Sequence, residues 1–353
     1  MAHQSKVLVT GGAGYIGSHT IIELIGRVAC EVVSLDDHSN SDAAAFDRIE
    51  RITGRRIRNH VVDLCNAAAL ERVFADEPGI SGVIHFAAFK SVPGSISDPN
   101  KYYHNNIASL LNIVQSSLRH GVSDFIFSSS CSVYGNITEL PVSEDTVFGR
   151  AESPYGYTKQ IGERILEDLS RIHPELRIIA LRYFNPVGAH PSGLIGEAPL
   201  NAPSSLVPLI TSTAIGMRPE LLVHGSDYGT RDGSCIRDYV HVSDIASAHV
   251  QALHLARSGG MSTSHAVFNL GTGTGVSVLE AIAAFERASG VQLRYRLGPR
   301  RTGDVGAIYS DTTRAKEQLG WCAERNLHDM MADAWRWELY LQSEARSLRS
   351  PLT

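Results

Sequence analysis

The chain is short of the residues that would tie it to an oxidising compartment, a membrane or a nucleic acid. Its five cysteines, Cys30, Cys65, Cys131, Cys235 and Cys322, are odd in number, widely spaced and include no CxxC pair. That excludes a disulfide framework or a thiolate zinc site and fits a reducing cytoplasm. No uninterrupted apolar run approaches the roughly 18 residues of a membrane span. The N-terminus enters an apolar strand almost at once, without the basic, apolar and small-residue zones of a secretion signal. Basic excess is also missing: 32 lysines and arginines face 37 aspartates and glutamates, a formal net charge of -5. That is the wrong sign for a nucleic-acid backbone or an anionic membrane surface, so small molecules are the expected partners. Lysine is scarce as well, five among the 32 basic residues, which makes Lys90 and Lys159 informative.

What is present is a chain of 353 residues, 43% of them hydrophobic, enough to bury a large core and to divide into two lobes. Short β-rich runs alternate with helix-length segments: KVLVT, Tyr15 to Arg27, EVVSLD, NHVVDL, GVIHFAA, Tyr103 to Arg119, DFIFSSS and LRIIALRYF. This rhythm predicts an α/β fold with a doubly wound parallel sheet, and the nearly continuous apolar strands predict burial on both faces. Beyond residue 185, Pro186, Pro191, Pro199, Pro203 and Pro208 break regular structure. The division expected is therefore 1–185 for a dinucleotide-binding lobe and 186–353 for a smaller, mainly substrate-binding α/β lobe, with chain crossings back to the first. Helices are expected over Asp244 to Ala256, Ser277 to Ser289 and Leu327 to Glu338, and strands at AVFNLG and LRYRLG.

GGAGYIG follows the first strand directly and contains Gly11, Gly14 and Gly17 at the spacing of a dinucleotide fingerprint. Glycines there let the backbone turn tightly and approach a pyrophosphate, whose charge lies at the N-terminus of the following helix. Asp36 comes 19 positions after Gly17, at the end of the second strand. A carboxylate at that point accepts from ribose hydroxyls and repels an additional phosphate, so NAD is expected rather than NADP. Asp63, at the end of NHVVDL, is placed to reach the adenine or to cap the next helix, and both readings stay open.

Tyr155 and Lys159 are four apart in SPYGYTK and so share one face of a helix. To act as a base near neutrality a tyrosine must fall from about 10 to near 7, a change of about 4 kcal/mol that nearby positive charge supplies. Lys159 and an oxidised nicotinamide are the expected sources. Tyr157 is two residues from Lys159 and points elsewhere, so packing or solvent exposure is its expected lot. Ser128, Ser129 and Ser130 close a strand whose carboxyl end is where sites in open α/β sheets collect. Ser130 is the first candidate to bond the reacting oxygen, and Ser132 the second.

These segments, with DFIFSSSCSVYG, LRYFNPVGAHPSG, IRDYVHVSD and FNLGTG in the same order, resemble the UDP-glucose 4-epimerases, a family of extended short-chain dehydrogenase/reductases. The resemblance implies that Tyr155 removes the sugar O4 proton while C4 gives hydride to NAD, Ser130 holding that oxygen. The resulting 4-ketose turns over and is reduced on its other face, which interconverts UDP-glucose and UDP-galactose in galactose metabolism. It implies a cofactor site of Gly11, Gly14, Tyr15, Ile16, Gly17, Asp36, Asp37, Asp63, Leu64, Phe86, Lys90, Asn105, Tyr155, Lys159 and Phe184. It implies nucleotide-sugar contacts from Lys90, Ser130, Tyr155, Asn185, Leu206, Arg237, Arg301 and Asp304, the two arginines on the diphosphate. It also implies a homodimer through the helices around Tyr103 to Arg119 and Tyr155 to Arg171. Asp238 and Asp244 are expected to be structural caps or solvated carboxylates.

The chain departs from the family's usual pattern at Ser205 and His224, and Ile308 falls where a sugar-pocket gate decides whether an N-acetyl group fits. A UDP-N-acetylhexosamine epimerase is thus a second reading. A sugar-nucleotide dehydratase shares tyrosine and lysine, but Ser130-Cys131-Ser132 lacks the carboxylates that water elimination needs. A uronic-acid epimerase or decarboxylase is a further variant. A non-catalytic NAD-binding sensor, from a different class, has no use for Tyr155, Lys159 and Ser130 together.

Overall fold

The structure is a computed structural model and describes residues 5–198, 200, 203 and 205–349. The first lobe is built on strands β1 (Ser5–Thr10), β2 (Cys30–Leu35), β3 (Arg58–His60), β4 (Ile80–His85), β5 (Asp124–Ser130) and β6 (Arg177–Tyr183). Between them run α1 (Tyr15–Arg27), α2 (Ala44–Thr53), α3 (Ala67–Asp76), α4 (Val92–Ser97), α5 (Pro99–Arg119) and α6 (Pro154–Ile172). The second half of the chain adds β7 (Asn185–Val187), α7 (Leu206–Ala214), β8 (Leu221–His224), β9 (Ile236–Arg237), β10 (Tyr239–His241) and α8 (Val242–Arg257). It ends with β11 (His265–Leu270), β12 (Val276–Ser277), α9 (Val278–Ser289), β13 (Tyr295–Gly298), β14 (Ala307–Ile308) and α10 (Leu327–Arg349).

Seven strands form one sheet in the order β11-β6-β5-β4-β1-β2-β3, every pair parallel. Because strand side chains alternate, one strand serves two cores. Val7 and Val9, Ile126, and Ile179 and Leu181 face one side, against α1, α2 and α8. Leu8, Phe125 and Phe127, and Ile178 and Ala180 face the other, against α3, α5 and α6. The chain leaves β3 at one edge and re-enters at β4 on the far side of β1. That reversal opens a crevice at the carboxyl ends of β1 and β4, the place where ligands bind in such sheets.

Several expectations need correction. The third strand stops at His60, so Asp63 and Leu64 lie beyond it. The cap of α3 is Asn66, whose side chain accepts from Ala69 N, whereas Asp63 Oδ1 accepts from Cys65 N at 2.8 Å. A cap is therefore not the role of Asp63. Two of the prolines expected to break structure lie within elements, Pro186 in β7 and Pro208 in the first turn of α7. A helix tolerates proline there because its first N–H groups have no intrahelical partner. Pro199 lies outside the described residues. α10 runs eleven residues past Glu338, to Arg349.

The chain also re-crosses. α8 packs Ile245, Ala248, Ala252 and Leu253 into the first face of the sheet, and β11 pairs with β6 at the sheet's edge. The segment read as AVFNLG is thus part of the large sheet. What remains of the second half has its own core, Val207 and Ile210 of α7, Leu221 and Val223 of β8, Ile282 and Phe285 of α9, and Met330 and Met331 of α10. No helix among the described residues is long and apolar enough to cross a membrane.

Candidate active site

The glycine loop links β1 to α1 in a space that excludes side chains. Gly11 has a φ of +71°, and a Cβ there would lie 2.9 Å from Ala87 N; a Cβ on Gly17 would lie 2.2 Å from Gly11 O. Tyr15 and Ile16 open α1, and Phe86 follows β4, its ring 4.6 Å from that of His249. Asp36 is held at the loop: its Oδ2 accepts from Ala13 N at 2.9 Å, and its Oδ1 from His38 N at 3.0 Å and Ser41 Oγ at 2.7 Å. It is not a solvated carboxylate, being 7% exposed. A carboxylate offers about four acceptor positions, so roughly one is left for a ribose hydroxyl.

Asp37, Asp63 and Asn105 come together along a groove of about 590 Å³ whose walls include Cys65, Phe89 and Lys101. Leu64 is buried among core side chains, so only its backbone can face a ligand. Phe184 is likewise buried, sharing a small cluster with Val133, Tyr134, Val142 and Ile308. Lys90 reaches across the crevice to Glu197, 3.0 Å away.

α6 starts where Ser153 caps it, accepting from Gly156 N, with Pro154 in the first turn. Tyr155 and Lys159 follow on one side of that helix, facing the end of β5. Lys159 is 4% exposed, and its Nζ donates to Ser128 O at 2.6 Å and lies 5.9 Å from the Tyr155 ring centroid. Burial pulls its ammonium down to about 8, against the opposing charge of Glu163. Desolvation pushes the Tyr155 hydroxyl up to about 12, opposed by its hydrogen bond with Ser130. The protein alone therefore does not produce the lowered hydroxyl that a base near neutrality requires. Burial outweighs the Ser130 hydrogen bond. Tyr157 is 49% exposed and meets Tyr103 edge-on, as its position in the helix predicted.

Ser130 Oγ accepts from Ser132 N at 3.2 Å, and the Ser132 hydroxyl oxygen is buried without a partner among the described residues. The same is true of Asn185 Oδ1, at the start of β7. Buried polar atoms without partners are costly, and a ligand that supplies them relieves that cost. Burial pushes the Cys131 thiol up to about 12, so it offers no acid between the two serines.

At the other end of the cleft, Arg237 on β9 and Arg301 in the loop after β13 converge on Asp304. Arg301 Nη2 lies 2.8 Å and Arg237 Nη2 3.8 Å from its Oδ1. Arg237 Nη1 also donates to Val305 O at 2.9 Å. Arg301 and His224 line a cleft of about 270 Å³ with Leu209 and Leu222. Leu206 is the first residue of α7, whose cap position is Ser205. Ile308, on β14, is 5% exposed and pairs in register with Arg237.

Other residues essential to this arrangement had no expected role. Further along α6, Glu163 accepts from Ser129 Oγ and from Arg182, whose Nη2 is 2.7 Å away, and both members of the ion pair are buried. Arg182 Nη1 donates to Tyr134 Oη at 2.9 Å, which donates to Asn269 Oδ1 at 2.6 Å. Glu163 lies four residues after Lys159, a helical spacing visible in the sequence; Arg182 and Asn269 carry no such local signal. Asp238 and Asp244 are neither caps nor solvated, at 0% and 1% exposure. Asp238 accepts from Thr272 N, Gly273 N and Ser310 Oγ, and Asp244 from Glu324 N, Arg325 N and the Arg325 guanidinium. Each stitches distant loops together.

A model of the NAD dependent epimerase/dehydratase family matches residues 7–271. A UDP-glucose 4-epimerase of Haemophilus influenzae is 46% identical over 332 residues, 94% of this chain and 97% of the relative. One from Dictyostelium discoideum is 47% identical over 336 residues, 94% and 95% of the two chains. Among solved structures, the Bifidobacterium longum UDP-glucose 4-epimerase in complex with NAD+ and UDP has a TM-score of 0.90 and 44% identity, covering 95% of this chain and 98% of its own. The Stenotrophomonas maltophila UDP-glucose-4-epimerase with bound NAD and formylated UDP-arabinopyranose has a TM-score of 0.92 and 43% identity, covering 97% and 100%. The chain belongs to the NAD dependent epimerase/dehydratase family and, within it, to the group of the UDP-glucose 4-epimerases.

Proposed function

We propose that this chain is an isomerase that interconverts UDP-glucose and UDP-galactose by NAD-dependent epimerisation at C4, serving galactose metabolism. The observation that carries the reading is the meeting of Tyr155, Ser130 and buried Lys159 at the carboxyl end of β5. Tyr155 Oη takes the proton from the sugar O4 and returns it after inversion. Ser130 Oγ bonds the same oxygen, and Lys159 supplies positive charge beside the ring. NAD, when bound, takes up hydride from C4 and gives it back, so a turnover leaves no net redox change.

The residues fit that cofactor. Gly11 and Gly17 let the loop fold tightly against Ala87 and onto itself at the N-terminus of α1, where a pyrophosphate would lie, and Asp36 keeps an acceptor for the ribose. Asp37, Asp63 and Asn105 take the adenosine side, and Tyr15, Ile16, Leu64, Phe86, Lys90 and Phe184 complete the cofactor set. Arg237 and Arg301 exchange part of their pairing with Asp304 for the substrate diphosphate, a geometry suited to guanidinium. Leu206 and Asn185 supply further substrate contacts, and Ile308 sets how much bulk the sugar carries.

Residues 1–185 make the cofactor lobe and 186–353 mainly the substrate lobe, with Val242–Leu270 returned to the first. Leu111 on α5 and Tyr157 on α6 are exposed on the faces assigned to a homodimer, and a cytoplasmic site suits five free cysteines. The test is incubation of purified protein with UDP-galactose, and separately UDP-N-acetylgalactosamine, without added reductant, products being resolved by chromatography. UDP-glucose is the expected product of the first. No conversion by NAD-loaded protein overturns the reading, and equal conversion of both moves the assignment to a dual-specificity enzyme.

A further inference from the structure

Lys90, placed above in the cofactor set, is paired with a glutamate that has no role there. Lys90 Nζ and Glu197 Oε1 are 3.0 Å apart, joining the loop after β4 to the segment after β7. Its two ends differ. The Lys90 side chain is 54% exposed and free to swing, whereas that of Glu197 is 14% exposed. The glutamate is anchored through its backbone: Trp337 Nε1 donates to Glu197 O at 3.0 Å, and Ala189 bridges Gly196. Gly196 lies flat on the Trp337 ring, where a Cβ would be 2.5 Å from the indole. Trp337 is buried, with the Arg48 guanidinium 5.2 Å above it. Glu197 is therefore a fixed post and Lys90 a movable arm.

The pair stands over the first turn of α1. Tyr15, next after Gly14, donates its hydroxyl to Gly188 O at 2.6 Å, and Lys90 Nζ lies 5.7 Å from its ring centroid. The Glu197 charge also reaches Tyr15, where it adds to burial in raising that hydroxyl. The pair thus borders the start of α1, directly after the glycine loop. We propose that the Lys90–Glu197 pair is a latch across the cofactor cleft, with Glu197 the positioning residue that sets how slowly NAD exchanges. An ion pair this open is screened by salt and breaks readily, as a latch must.

The inference rests on the NAD reading, and its test separates the two. Wild-type protein is loaded with isotopically labelled NAD, freed of excess and chased with unlabelled NAD at low and high ionic strength. Release from wild type is expected to quicken with salt. Glu197→Gln, matched to wild type in thermal unfolding, is expected to release label roughly two- to five-fold faster and to lose most of the salt dependence. Lys90→Met also removes any contact of its own with NAD, so the double variant is needed: adding Glu197→Gln to Lys90→Met should change nothing further. Release from Glu197→Gln at the wild-type rate, or additive effects in the double variant, overturns the latch while leaving NAD binding intact. Wild type that takes up no label overturns both.

Discussion

The two ends of the cleft follow opposite electrostatic plans. At the Tyr155 end, Lys159 is stripped of water, pulled down to about 8 by that burial, and tied to a carbonyl. Tyr155 beside it is pushed up to about 12. At the other end, Arg237 and Arg301 stay partly exposed and share one carboxylate, Asp304. A buried ammonium has a protonation that its surroundings can move, which suits proton transfer; two guanidiniums on one carboxylate have the planar fork geometry that suits holding a diphosphate. Damage at the first end should therefore appear in kcat and in pH dependence, and damage at the second in KM.

That contrast can be broken at several points. Lys159→Met is expected to lower kcat about 10³-fold, in line with the contribution of positioned acid–base groups, with KM nearly unchanged; a comparable rise in KM would show that the lysine mainly binds. Arg301→Ala is expected to raise KM for the UDP-sugar roughly ten- to a hundredfold, the worth of hydrogen bonds to charged groups, while kcat holds. Steady-state kinetics with NAD-saturated protein distinguish these outcomes. The pH profile sharpens the comparison. Because the Lys159 value is lowered, its charge is present below about 8 and lost above it. Turnover should fall about tenfold for each pH unit well above that point, whereas KM should show no such limb. His85, which also lies near Lys159, is pulled down to about 3 by burial and is neutral above that point. The smallest effect is expected at Tyr157→Phe, within about twofold of wild type on both constants, as for other exposed positions.

How much of this could be read from the chain depends on how local the cause is. The glycine loop, strands β1, β2, β4, β5 and β6 and the Tyr155–Lys159 pair are fixed by neighbours within a few residues, and they stand where the sequence places them. Asp63 misled because a hydrophobic run, NHVVDL, continues past the point where pairing with β2 ends at His60. Asp238 and Asp244 misled because acidic residues before a helix suggest caps, yet their partners lie from 34 to 81 residues away. Glu197 had no signal at all: its position depends on Trp337, 140 residues further on. The return of α8 and β11 to the first lobe is likewise a matter of which sheet edge is open, and periodicity carries no information about that.

The central claim is that Tyr155 carries the proton while the rest of the site holds cofactor and substrate. It is tested most directly by comparing wild type with Tyr155→Phe, each assayed for bound NAD and for conversion of UDP-galactose to UDP-glucose. The account predicts equal NAD content and turnover lowered by about 10²- to 10⁴-fold. A Tyr155→Phe protein that epimerises at the wild-type rate would contradict it.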